Sequence, residues 1–124
     1  MNKVIVAGSR EHTDREIVRE HMNRLWREIG PYEIVSGTAR GVDTIGASLA
    51  KDAGITVHEY PANWQALGRR AGYIRNQVMA QNATHLLAIW DGHSRGTRHM
   101  IDIAKQAGLT VQVYRTDKEL LIKY

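Results

Sequence analysis

The sequence contains no cysteine, which excludes disulfides, thiolate catalysis and cysteine-ligated zinc, and agrees with a reducing compartment. No apolar run approaches the ~20 residues needed to cross a bilayer. Met1-Asn2-Lys3 leads directly into an apolar stretch with no cleavable signal pattern, so a cytoplasmic protein without a membrane partner is expected. Aromatic residues are scarce, three Trp and five Tyr, and some must serve the core, which argues against an extended stacking surface for single-stranded nucleic acid. Neither GxxxxGK[ST] nor a GxGxxG after the first strand occurs, setting aside P-loop ATPases and ordinary NAD dehydrogenases. The six histidines are scattered over different elements, and His93 and His99 have no carboxylate at ligand spacing, so no metal site is expected.

What is present is enough for one domain of 124 residues with a single core. Arginine outnumbers lysine 12 to 5, and the formal charge is +4. Several arginines stand beside glycines rather than on helix faces, where a guanidinium offers forked donors to phosphate oxygens. An anionic ligand suits this balance.

Strand and helix signals alternate. Lys3 to Ala7 reads as a buried strand. Asp14 caps a helix from about Arg15 to Ile29 with Ile17, Val18, Met22, Leu25, Trp26 and Ile29 on one face, stopped at Gly30-Pro31. Glu33 to Ser36, Ile55 to Tyr60, Thr84 to Trp90 and Leu109 to Tyr114 read as further strands. Helices are predicted over Gly41 to Ala53, about Leu67 to Gln81, and Gly96 to Ala107. The tail from Asp117 to Tyr124 reads equally as a helical turn or an edge strand. The pattern predicts a Rossmann-like, doubly wound α/β fold with a parallel sheet of about five strands, order 3-2-1-4-5, and helices on both faces. In that order the first and fourth strands are neighbours, and a crevice opens at their C-terminal ends.

Three loops at the strand ends share one character. They are Gly8-Ser9-Arg10, then Ser36-Gly37-Thr38-Ala39-Arg40-Gly41-Val42-Asp43, then Asp91-Gly92-His93-Ser94-Arg95-Gly96-Thr97. Glycine admits positive φ and close backbone approach to a phosphate, hydroxyls and free amides donate to it, and a following helix N-terminus adds partial positive charge. Glycines after strands are also ordinary turn formers, but three such loops at one predicted rim favour anion binding. Asp43 is a helix-start carboxylate, a general base or a ribose-hydroxyl acceptor, and Asp91 a turn former or cap, or an acceptor from a ribose hydroxyl or a base; both are the candidate catalytic residues. Ser36 is a cap or a ligand donor. On the third predicted helix, Gly72, Arg75, Asn76 and Met79 share a side, Arg75-Asn76 reads as a polar pair aimed at something, and Arg69 and Arg70 read as solvated. Trp64 is a core residue or a stacking platform for a base.

At these residues the sequence resembles the SLOG superfamily, in its YspA/YpsA-related branch. The matching pieces are Gly8-Ser9-Arg10, Ser36-Gly37 with Ala39 to Asp43, Pro61 and Trp64 leading to Gly68, Ala71-Gly72 and Arg75-Asn76, and finally Asp91-Gly92, Ser94 and Gly96-Thr97. The resemblance implies a Rossmann-like fold and binding of a nucleotide or an NAD-derived, ADP-ribose-like metabolite, with no further cofactor. The superfamily also includes the LOG phosphoribohydrolases and the DNA-binding protein DprA, so hydrolysis or transfer at a glycosidic or phosphate bond, and single-strand binding, stand as alternatives. Two departures matter. Thr38 stands where a second glycine is common, and Arg98, His99 and Met100 follow Thr97 where LOG enzymes carry acidic residues. A homo-oligomer is expected, both because the superfamily often assembles and because the helix bearing Leu25 and Trp26 is read as exposing apolar surface.

Overall fold

The computed structural model describes residues 1–124. Its sheet has six strands in the order β3-β2-β1-β4-β5-β6: β1 (Asn2–Gly8), β2 (Tyr32–Ser36), β3 (Val57–Glu59), β4 (His85–Trp90), β5 (Thr110–Arg115) and β6 (Leu120–Lys123). The first five are mutually parallel, and β6 pairs antiparallel with β5. The tail is therefore an edge strand. It folds back through a turn in which Glu119 takes a left-handed φ of 48°, which a helical turn does not use.

Five α-helices connect the strands: α1 (Arg15–Ile29), α2 (Val42–Asp52), α3 (Trp64–Leu67), α4 (Ala71–Gln81) and α5 (Arg95–Gln106). The Asp14 carboxylate caps α1 by accepting from the amides of Glu16 at 3.0 Å and Ile17 at 3.3 Å. The helix stops at Gly30, whose φ of 81° suits glycine. The helix predicted from Leu67 is broken. Asn63 caps a short α3, Gly68 takes φ 58°, and a 3₁₀ turn over Gly68–Arg70 leads into α4. Strand β3 is shorter than predicted because the Ile55 amide is spent on Ala50, closing the end of α2.

Alternation along the central strands produces two cores. Val4 and Val6 of β1, with Leu87 and Ile89 of β4, pack under α1 and α2 against Val18, Met22, Leu25 and Ala50. Ile5 and Ala7, with Leu86 and Ala88, face the other way under α4 and α5 against Met79, Met100, Ile101 and Ala104. Each fully buried aliphatic side chain stabilises the fold by about 1.5–3 kcal/mol relative to exposure, so a strand buried on both faces has to be apolar throughout. Leu25 is 1% exposed. It belongs to the core, as its place on the apolar face of α1 predicts; its neighbour Trp26 reaches solvent, packed edge-on against Tyr32.

The chain thus covers one face of the sheet with α1 and α2 and the other with α4 and α5. The change of face falls between β1 and β4, and there the ends of the two strands open outward.

Candidate functional site

A cleft of about 340 Å³ lies at that opening. Its floor comes from Ala7 and Gly8 of β1, Asp43 of α2 and Met100 of α5. One wall is the side of α4 carrying Gly72, Arg75, Asn76 and Met79, the four residues that helical spacing grouped together, joined by Tyr73. The opposite wall is the start of α5, Ser94 to Thr97. Arg10, Ala39, Trp64 and Arg69 form the rim.

The loops meet by interlocking backbones. A Cβ on Gly8 would lie 2.1 Å from the Ile89 carbonyl oxygen, and one on Gly41, which holds φ 79°, would lie 2.3 Å from that of Ser9. These two glycines are required by packing between loops. Much of the polar backbone here is likewise spent internally. The Ser9 amide donates to Ile89, the Val42 amide to Ser9, and the Thr38 amide to the Ser36 hydroxyl, while the Ser9 hydroxyl accepts from the Asp91 amide at 3.1 Å. Thr38 holds φ 63° despite its side chain. The first two loops therefore contribute shape and side chains to the rim, and their amides are largely taken.

The third loop is arranged differently. One oxygen of Asp91 accepts from the amides of His93 at 2.8 Å and Ser94 at 2.9 Å, a turn role that draws its carboxyl below the ordinary range against the opposing effect of burial. Asp91 does not line the cleft. Nor does Gly92, whose φ of 85° serves a turn closed over Arg115. Ser94 caps α5, its hydroxyl 3.0 Å from that of the buried Thr97 and 3.5 Å from the Thr97 amide. The first amides of α5, at Arg95 and Gly96, have no intrahelical acceptor, and nothing lies within 4 Å of a Cβ placed on Gly96. Open space, a helix N-terminus and two hydroxyls thus coincide.

Five charged side chains line the cleft: Arg10, Arg69, Arg75, Arg95 and Asp43. None of the four arginines is ion-paired. Arg75 is half-buried and donates to the Gly37 carbonyl and, through Nε, to Asn76 Oδ1 at 3.1 Å. Asn76, 5% exposed, turns its amide nitrogen to the Gly96 carbonyl at 3.3 Å and to His99 Nδ1 at 3.1 Å. Burial lowers the His99 pKa, against the pull of Asp102, a direction that favours the ring form able to accept. Asp43 is 5% exposed, and burial pushes its carboxyl up to about 6, against the pull of Arg75, the Ala39 and Gly8 amides and Arg10. Arg75 and Asp43 meet over Gly37, where a Cβ would lie 2.6 Å from the guanidinium and 2.8 Å from the carboxylate.

Trp64 is 49% exposed and belongs to neither core. It stands over Gly72, with the Arg10 guanidinium 5.8 Å from its ring centre. Ser9 and Ser36 are buried and act as internal hydrogen-bond partners. Gly37, Thr38 and Arg40 border an adjoining hollow, and Arg40 also pairs with Glu11; Gly41 packs between the loops. Arg69 is exposed, as expected, and the 3₁₀ turn also brings it to the cleft edge. The only sequence signal for that turn is Gly68 itself, a glycine inside the predicted helix, whose left-handed φ breaks it. His99 and Tyr73, stacked edge to face at 4.4 Å, were also missed: both sit on helix faces whose partners only the folded chain reveals.

The chain is 33% identical over 118 residues to the Gene 61 protein of Mycobacterium phage D29, an alignment covering 90% of this chain and 94% of that protein. The family model matches residues 2–67, which hold the first two loops and the α3 segment. This chain belongs to the YspA, cpYpsA-related SLOG family.

Proposed function

We propose that the cleft binds a nucleotide or nucleotide-derived phosphate metabolite of the NAD or ADP-ribose kind, and that the protein acts as a binding protein or sensor for it. Family membership points to a nucleotide-related binding or modifying role. The observation that carries the finer reading is the gathering of four unpaired arginines and the α5 N-terminus around one cleft whose only carboxylate is buried. Phosphate oxygens suit the first amides of a helix, through both their hydrogens and the helix dipole, and guanidinium forks supply the countercharge. Trp64 offers an exposed ring for a base.

Titration calorimetry of the full chain against NAD, ADP-ribose, its cyclic isomers and mononucleotides tests this. Saturable binding of at least one is expected. Arg95→Ala should weaken it about tenfold, the loss of one charge-assisted hydrogen bond. No binding anywhere in the panel would contradict the proposal.

One observation favours a second reading, hydrolysis or transfer at a glycosidic or phosphate bond. Asp43 lines the cleft with its carboxyl near the pH at which a general acid or base works best. Incubation with nucleoside monophosphates and NAD, followed by chromatography, decides it: turnover abolished in Asp43→Asn supports catalysis, and no turnover by the unmodified protein removes it.

A further inference from the structure

The cleft is not the whole of the concave surface at this rim. A second hollow of about 410 Å³ adjoins it, bordered by Gly37, Thr38, Arg40, Pro61 and Ala62. Arg10, Ala39, Trp64 and Arg75 border both. Two guanidiniums and one indole therefore stand on the divide.

We infer that the second hollow is a subsite that selects two-headed nucleotides, in which a phosphate bridge reaches from the α5 start to Arg10 and Arg75, the two sides that Asn76 joins, and the far half of the ligand enters between Thr38 and Ala62. The inference rests on the nucleotide reading of the main cleft and adds to it a reason to prefer such a ligand over a mononucleotide. Three features support it. First, the shared wall carries a net positive charge: Arg10 has no ion pair, and Arg75 faces only the buried Asp43. A bridge bearing two negative charges fits there better than over either hollow alone.

Second, the two hollows differ in chemistry. The main cleft ends in the open helix start at Gly96. The far hollow is bordered by the lead into the short α3 rather than by a long helix, and offers Pro61 and Ala62 as small apolar contacts beside the exposed Thr38, a surface for a sugar or ring edge rather than for another phosphate. Third, Arg40 is held only by an exposed pair with Glu11, both side chains more than 70% exposed. Such pairs contribute little, so Arg40 can turn to a ligand without a large loss.

The test uses ADP and ADP-ribose, which share the adenosine and both phosphates and differ by the second ribose. Calorimetry on the full chain is run with the unmodified protein, with Ala62→Trp, which fills the far hollow, and with Arg40→Ala, which is exposed and needs no repacking. ADP-ribose is expected to bind about tenfold or more tighter than ADP, the gain from engaging a second subsite in one molecule. Ala62→Trp should bring the two affinities together, and Arg40→Ala should narrow the gap.

Equal affinity for ADP and ADP-ribose in the unmodified protein would overturn the subsite while leaving the nucleotide cleft standing. An advantage for ADP-ribose that survives both variants would do the same. Failure of both ligands to bind would overturn the cleft reading itself. Affinity for oligothymidylate that grows with length and collapses with salt would overturn the two-headed ligand in favour of a single strand.

Discussion

Asp43 is the residue on which the site's pH behaviour turns. Its folded pKa of about 6 lies above the ordinary 3.8, so folding favours the protonated form. Its stabilising contribution is complete below about pH 3.8 and is lost as the pH rises through about 6. The shift corresponds to roughly 3 kcal/mol, and in Asp43→Asn that part of the pH dependence of the urea midpoint should vanish. Binding carries the same sign. A neutral Asp43 leaves the arginines unopposed, so affinity for ADP-ribose, whose pyrophosphate does not titrate near pH 6, should rise as the pH falls from 7 to 5.5 and stay flat in Asp43→Asn. Asn76 is the other pivotal residue, since its side chain joins Arg75 to the start of α5. Asn76→Asp removes the donor to the Gly96 carbonyl and sets two oxygens against each other in a buried place. A loss of about 1–3 kcal/mol by chemical denaturation is expected.

Among the elements, the glycines of the three loops separate into two kinds that sequence alone could not distinguish. Gly8→Ala forces a Cβ to 2.1 Å from a backbone carbonyl and should destabilise the protein by more than about 2 kcal/mol. Gly96→Ala meets nothing within 4 Å. It should leave the melting temperature unchanged or slightly raised, alanine being the better helix former, while placing a methyl group in the cleft and weakening nucleotide binding. The same glycine-after-strand pattern therefore means close packing at Gly8, Gly41 and Gly92 and open space at Gly96, and only the partners across the fold decide which. Sequence was similarly blind to the clamp that fixes α1 to the last two strands. Glu28 accepts from Gln112 at 3.0 Å, Lys123 at 3.0 Å and Arg24 at 2.9 Å, contacts that hold its carboxyl down to about 2 with Gln112 the largest contributor. This contribution is complete above about pH 4.5 and is lost as the pH falls toward 2. Glu28→Gln should flatten that acid limb of the denaturation midpoint.

Across the whole molecule, the order of the five parallel strands and the position of the crevice were legible because they follow from alternating β and α signals and from the handedness of crossovers. The apolar runs of β1 and β4 foretold strands buried on both faces. What stayed illegible depended on contacts distant in sequence: the antiparallel β6 and the broken entry to α4 that brings in Arg69. The site was legible as a set of loops and opaque as a division of labour. Ser9, Ser36, Gly41, Gly92 and Asp91 support the frame, while Arg10, Arg75, Arg95, Gly96, Thr97 and Trp64 line the cleft. At 14.0 kDa the protein is small enough for every backbone amide to be followed by NMR, and titration of the labelled chain with ADP-ribose tests the central claim most directly. The largest shifts are expected at Arg95, Gly96 and Thr97, with smaller ones at Gly8, Arg10 and the Trp64 indole; a spectrum that does not change, or changes confined to α1 on the opposite face, would contradict it.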